Sequence, residues 1–284
     1  MSDTKTLSAQ EIEQCCNIVH EAGSRILKMF REKSFTVSYK EKRHPVTDAD
    51  HEANQYIIDS LNKTFPNDPV LSEETTTLYS RERMEKERQN TKHLWVIDPL
   101  DGTREFIEGV PNFSISLALL VDNRADFGII FNPAESFFIH GGKDYGLFLD
   151  NEKIDTHDKI KSEKFTDLNS CKIALSYSET QSGSFQDLIH SLKAPKTNIL
   201  TIGSVAYKLG LLAGGKIDLV LSRKPKSSWD IAGGAALLEA ANMQFIDRFE
   251  EPVELNGKSI LTDGLIAGPS PVVNLYQKFL HATT

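Results

Sequence analysis

The sequence predicts a layered chain in which an α+β first half joins an α/β second half. Three observations predict it. In the first half, helix-period segments precede a block of strand-like segments; in the second, strands and helices alternate. No internal repeat or low-complexity linker separates the halves, so they are expected to pack as one unit. At 284 residues the chain can bury a large core, and the division is expected at residues 1–150 and 151–284.

Each element follows from local pattern. Residues 9–31 place Ile12, Cys15, Cys16, Val19, Ala22, Ile26, Leu27 and Phe30 at three-to-four spacing, an amphipathic opening helix. A second helix is expected over TDADHEANQYIIDSLNKTF, with Asp48 or Asp50 at its positive N-terminal end and a stop before Pro66. The mixed-charge run TTLYSRERMEKERQNTK has no apolar face and reads as a solvated helix or loop. HLWVID reads as a buried strand, and FSISLALLVDNRADFGIIFNPAESFFIHGG as successive strands punctuated by NP and GG. KIALSYS, NILTIG and KIDLVLS are further strands, whereas SVAYKLGLLAGG and the small-residue-rich WDIAGGAALLEAAN are helices.

Composition bounds the function. A net charge of -8 opposes binding to nucleic-acid polymers or anionic membranes, which ask for clustered lysine and arginine. A small anionic substrate stays open, because bound metal reverses the local sign. Cys15, Cys16 and Cys171 lack metal-knuckle spacing and are expected as buried thiols in a reducing, cytoplasmic setting. The N-terminus is polar and no apolar run reaches membrane-span length, so neither secretion nor insertion is expected. The sequons at Asn62 and Asn112 then read as idle matches.

Acidic residues recur at element boundaries. VTDAD supplies Asp48 and Asp50, LSEE supplies Glu73 and Glu74, IDPLDGT supplies Asp98, Asp101 and Thr103, and SWDIAGG supplies Asp230. Singly, Asp50 and Asp230 read as helix caps, Asp98 and Asp101 as a turn, and Glu73 as a solvated carboxylate. Together, carboxylates converging without basic partners repel one another unless cations fill the space, and hard oxygen donors with few histidines nearby favour magnesium. Gly102 and Thr103 open the segment GTREFIE, whose free N–H groups offer a phosphate cradle, and the Thr103 hydroxyl can position an attacking water. His51 lacks the second histidine of a zinc-protease helix, no Walker-type loop occurs, and Ser204 lacks the flanking glycines of a nucleophile elbow.

IDPLDGT, with the upstream PVTDAD and LSEE and the downstream WDIAGG, resembles the inositol monophosphatase superfamily of magnesium-dependent, lithium-sensitive phosphatases. The resemblance runs from about Pro45 to Asn242, and REFI after DGT together with PVLSEE is most similar to its 3'(2'),5'-bisphosphate nucleotidase branch. It implies an αβαβα sandwich of the inositol monophosphatase and fructose-1,6-bisphosphatase type. It also implies a first magnesium on Glu73, Asp98 and the Leu100 carbonyl, a second on Asp98, Asp101 and Asp230, and a possible third aided by Glu73. Thr103 would orient water with Asp50 accepting its proton, and Gly102, Thr103 and Ser204 would contact phosphate.

Substrate choice turns on Arg223, seven positions before Asp230, where inositol-specific members carry an acid. Arginine there offers a cation to a second phosphate, as do Lys224 and Lys226 nearby, although a solvated loop is the blander reading. The expected substrate is therefore 3'-phosphoadenosine 5'-phosphate, with an inositol or other sugar phosphate as the alternative and a monomer or homodimer as the expected state. Against it, SYSE stands where that branch carries a Ser-Arg-Ser-His stretch, leaving Tyr177 to stack on a base or cover core. A haloacid-dehalogenase-type phosphatase would place its two acids two residues apart rather than three, and a non-catalytic scaffold would not need these side chains.

Overall fold

The computed structural model describes residues 6–40, 45–75, 91–155, 165–192, 198–256 and 260–283. Helix α1 (Ala9–Glu32) starts from a reciprocal cap: Ser8 Oγ accepts from the Glu11 N–H at 3.3 Å, and Glu11 accepts from the Ser8 N–H at 2.7 Å. A short antiparallel hairpin, β1 (Val37–Tyr39) and β2 (Pro45–Thr47), leads into α2 (Asp48–Thr64), which stops one residue short of Pro66 at Phe65. Except for Thr91 and Lys92, the mixed-charge run lies outside the described residues.

Seven strands then form one sheet among the described residues, in chain order: β3 (Val70–Ser72), β4 (His93–Asp101), β5 (Ser114–Val121), β6 (Arg124–Asn132), β7 (Phe137–Gly142), β8 (Gly146–Leu149) and β9 (Glu152–Ile154). Only β3 and β4 pair in parallel. Period-two alternation divides the apolar residues between its faces. Trp95, Ile97, Leu117 and Leu119 bury against α1 and α2, whereas Leu94, Val96, Ala118 and Leu120 face the other way. A one-turn helix, α3 (Thr103–Glu108), separates β4 from β5.

The second sheet runs β11-β10-β12-β16-β14, where β10 is Ile173–Ser176, β11 Ile199–Ile202, β12 Leu219–Ser222, β14 Gln244–Ile246 and β16 Leu265–Gly268. Strands β10, β11 and β12 are mutually parallel. Between the sheets lie α6 (Val205–Ala213) and α7 (Ser228–Ala240), both apolar nearly all round, as a helix covered on two sides must be. The outer face of the second sheet is covered by α5 (Gln186–Ser191) and α8 (Ser270–Thr283). The layers therefore read helix, sheet, helix, sheet, helix, the αβαβα arrangement.

Several elements differ from the sequence reading. β10 ends at Ser176, and the following Tyr177 and Ser178 open a short helix, α4 (Tyr177–Gln181), so Tyr177 leaves the sheet. The chain after Asn242, which carries no strong local signal, supplies β14, β16, α8 and β15 (Leu261–Thr262), the last pairing with β13 (Lys226–Ser227) that precedes α7. Cys15, Cys16 and Cys171 are not disulfide-bonded, and burial pushes the Cys16 thiol up to about 12. Among the described residues no helix is long and apolar enough to cross a membrane.

Candidate active site

The two aspartates of IDPLDGT meet through a defect in β4. Asp98 pairs with Ser116 and Asp101 with Ser114, so three steps along β4 oppose two along β5. Residues three apart in a regular strand point to opposite faces; the extra residue, at the proline-containing stretch Pro99–Leu100, turns both carboxylates to the face shared by Ser114 and Ser116. That face looks toward the central helices.

Each carboxylate is held by the protein. Asp98, only 1% exposed, accepts from the Leu100 N–H at 3.0 Å. Asp101 accepts from Ser204 Oγ and from the Ala206 N–H, each at 2.7 Å, and so sits at the start of α6. Asp230, in the first turn of α7, accepts from the Ser227 N–H at 2.9 Å. Glu73 follows β3 and pairs with Lys40 at 3.0 Å, and the same ammonium lies 2.5 Å from Glu74.

The charges show the strain expected of crowded acids. Burial, then the charges of Glu73, Asp101 and Asp230, hold the Asp98 carboxyl well above the ordinary carboxylate range. Burial and the neighbouring Asp101 carry Asp230 up to about 8. Burial raises Asp101 too, against the opposing pull of Ser204, Ala206, Lys208 and Lys226.

Thr103 opens α3 behind Gly102. Its hydroxyl reaches Asp50 Oδ1 at 3.0 Å and the Leu100 carbonyl at 3.1 Å, and its one proton can serve only one of them at a time. Asp50 is buried, and its other oxygen accepts from the Thr47 N–H and Oγ at 2.7 and 2.6 Å, so the helix-cap reading of Asp50 is realised alongside the contact with Thr103. Burial, reinforced by Glu74, raises Asp50 to about 7. Gly102 has φ 100°, and a Cβ there would lie 2.9 Å from the Asn112 carbonyl, so only glycine fits this turn.

Two residues sit differently from expectation. Ser204 is fully buried: its hydroxyl donates to Asp101 and accepts from the Tyr207 N–H at 3.0 Å, which makes Ser114 the donor in their 3.0 Å contact. It thus caps α6 and donates to Asp101. Arg223 is directed at α5, where its guanidinium pairs with Asp187 at 2.9 Å, donates to the Ser184 carbonyl and lies 4.8 Å from the Phe185 ring centre.

The structure adds residues that sequence reasoning passed over. Lys208 is wholly buried on α6 and donates to the Ile202 carbonyl at 2.8 Å; burial and the nearby Lys226 lower it to about 7 against the pull of Asp101, Glu179 and Glu105. The lone lysine in SVAYKLGLLAGG was the available signal, since a charge on an otherwise apolar helix has to be used. Glu105 packs so closely on Gly203 that a Cβ there would stand 1.8 Å from its Oε1.

Among the described residues no three His, Cys, Asp or Glu side chains form a group tight enough to enclose an ion as they stand. The donor set nonetheless suits magnesium. It is all hard oxygen, with Asp98 buried and Glu73, Asp101 and Asp230 half-buried around it, and the aspartates repel one another, which a divalent cation would relieve.

Comparison with known proteins identifies the family. A profile of the inositol monophosphatase family matches residues 8–282. The 3'(2'),5'-bisphosphate nucleotidase CysQ of Haemophilus influenzae is 30% identical over 259 residues, covering 90% of this chain and 91% of that protein. The fructose-1,6-bisphosphatase/inositol-1-monophosphatase of Thermotoga maritima is 27% identical over 226 residues, covering 78% of each chain. In three dimensions an IMPase of Thermotoga maritima superposes with a TM-score of 0.77 at 21% identity, over 97% of this chain and 100% of that one. The chain belongs to the inositol monophosphatase family, and with it to a superfamily of hydrolases acting on small phosphate esters.

Proposed function

We propose that this protein is a magnesium-dependent phosphomonoesterase that removes the 3'-phosphate of 3'-phosphoadenosine 5'-phosphate. The observation that carries the hydrolytic reading is the bulge in β4, which sets Asp98 and Asp101 on one face opposite Asp230, with the Thr103 hydroxyl joined to Asp50 beside them. Glu73, Asp98 and the Leu100 carbonyl would hold one magnesium, Asp98, Asp101 and Asp230 a second, and Glu73 would assist a third. When bound, magnesium supplies electrostatic stabilisation of the phosphoryl charge and acidifies water.

The remaining chemistry belongs to the chain. Thr103 orients the attacking water through its hydroxyl, which donates its hydrogen bond to Asp50 and so leaves the threonine oxygen free to accept one from that water. The N–H groups of Gly102 and Thr103 face the phosphate. No covalent intermediate is required, because water attacks phosphorus in line. In this arrangement residues 1–150 supply most of the ligands, and residues 151–284 supply Asp230 and the substrate side.

The nucleotide preference is supported by the CysQ relatives of Haemophilus influenzae and Aggregatibacter actinomycetemcomitans, the latter 26% identical over 96% of both chains. It is also supported by Lys224 and Lys226, which follow the carboxyl end of the parallel strand β12, where open α/β sheets bind ligands. One observation favours an inositol phosphate instead: Arg223 is already paired with Asp187. That pair is half-exposed, and an ion pair of this kind contributes about 1 kcal/mol or less, so a phosphate can compete with Asp187 for the guanidinium.

The test is phosphate release from 3'-phosphoadenosine 5'-phosphate, inositol 1-phosphate, fructose 1,6-bisphosphate and NADP, with magnesium and after exhaustive chelation. Preference for the first substrate, abolished by chelation, is expected. Full activity without metal would overturn the magnesium assignment, and preference for the inositol ester would overturn the nucleotide one.

A further inference from the structure

We infer that Glu179 is a positioning residue, whose buried carboxylate sets the path of the loop that delivers Lys226 and Asp230 to the active site. The inference rests on the phosphatase reading only for its kinetic consequence. Glu179 lies in the first turn of α4, just beyond the carboxyl end of β10, and is fully buried. Its side chain carries three hydrogen bonds, all from the neighbouring parallel strand β12 and the residues that follow it. Oε2 accepts from Ser222 Oγ at 2.9 Å, and Oε1 accepts from the Arg223 and Lys224 N–H groups at 2.8 and 2.5 Å.

The position of this clasp gives it consequence. Strands β10, β11 and β12 run parallel, and their carboxyl ends carry α4, Ser204 and the Arg223–Lys224 loop respectively. From Lys224 the chain passes through Pro225 into β13, where Lys226 bears on the charges of Asp101, Asp230 and Lys208, and then into α7 with Asp230 in its first turn. Asp230 is thus reached six residues after an amide anchored on Glu179. A hydrogen bond from a backbone N–H to a carboxylate is among the stronger kinds, and two consecutive amides on one oxygen fix both the position and the direction of the loop. Without the acceptor, two part-buried N–H groups lose their partner and the Ser222 hydroxyl keeps only its 3.4 Å contact with the Lys224 carbonyl, so the loop is released to shift toward solvent.

The substitutions Glu179→Gln and Glu179→Ala separate positioning from charge. Glutamine keeps an oxygen toward the amides, and its NH2 can face the Ser222 oxygen, so the loop should hold; alanine keeps neither. In Glu179→Ala, amide hydrogen exchange across residues 222–227 should accelerate at least tenfold. Magnesium affinity by calorimetry and kcat/KM for the best wild-type phosphomonoester should each fall about tenfold, with kcat carrying most of the loss because the misplaced group is a ligand rather than a substrate contact. Glu179→Gln should stay within threefold of wild type on all three. Should Glu179→Ala fail to fold, Ser222→Ala removes one donor without opening a large cavity, and about threefold effects in the same direction are expected. Wild-type exchange in the loop, unchanged magnesium affinity, or equal losses in the glutamine and alanine proteins would overturn the inference. A wild type inactive on every phosphomonoester would instead overturn the function proposed above, while the exchange measurement would still judge Glu179.

Discussion

Asp50 makes the stability of the metal-free protein depend on pH in a direction opposite to that of an ordinary ion-paired carboxylate. Its carboxyl is raised by burial from the ordinary 3.8 to about 7. Between those values the folded chain binds a proton there and the unfolded chain does not, so this stabilisation is complete at low pH and lost as pH rises through 7. Each pH unit in that window is worth about 1.36 kcal/mol, and the two units from pH 5 to about 7 amount to roughly 3 kcal/mol. Because the residue is 1% exposed, solvent screening removes little of it. In Asp50→Asn the group is neutral at every pH and this component vanishes, whatever the fixed cost of the altered contacts with Thr47 and Thr103. Urea unfolding of both proteins in the presence of chelator, at pH 5, 6, 7 and 8, should therefore show the wild type losing about 3 kcal/mol more than the variant between pH 5 and 8. Asp98, Asp101 and Asp230, also raised, give a decline common to both. Parallel curves would refute the reasoning, since they would mean that Asp50 is already ionised in the folded chain at pH 5.

Four further outcomes follow from the same geometry. Thr103→Ala should lower kcat about a hundredfold while leaving magnesium affinity by calorimetry unchanged, because in the proposed mechanism its hydroxyl, bonded to Asp50, orients water and holds no metal. Asp98→Asn should abolish turnover yet raise the melting temperature of the chelated protein, since one charge leaves a buried, self-repelling cluster. Gly102→Ala should cost about 2 kcal/mol in urea unfolding, from the left-handed backbone and the contact with the Asn112 carbonyl. Arg223→Ala should reduce kcat/KM for 3'-phosphoadenosine 5'-phosphate about fivefold to tenfold without changing that for inositol 1-phosphate, the gain from a charge-assisted bond being partly offset by the Asp187 pair given up.

Local chemistry was sufficient for much of the architecture. The three-to-four spacing of residues 9–31 describes the face that α1 buries, and an acidic first turn with Pro66 beyond brackets α2, because such signals act within a few residues of where they are written. The sequence by itself also determined which residue types were available to the site: acids at four boundaries, a glycine before Thr103, and an arginine seven positions before Asp230.

What those residues touch was decided by tertiary structure alone. The spacing of Asp98 and Asp101 says opposite faces for a regular strand, and only the register against Ser114 and Ser116 shows the bulge that unites them. Ser204 and Arg223 looked available for phosphate, but the start of α6 claims the serine hydroxyl for Asp101 and Tyr207, and α5 draws the guanidinium to Asp187. Lys208 and Glu179 gave no local sign of their partners, which stand on other elements. Orientation, burial and charge coupling depend on groups distant in sequence, and a strand or helix pattern carries no record of which neighbour will be packed across from it.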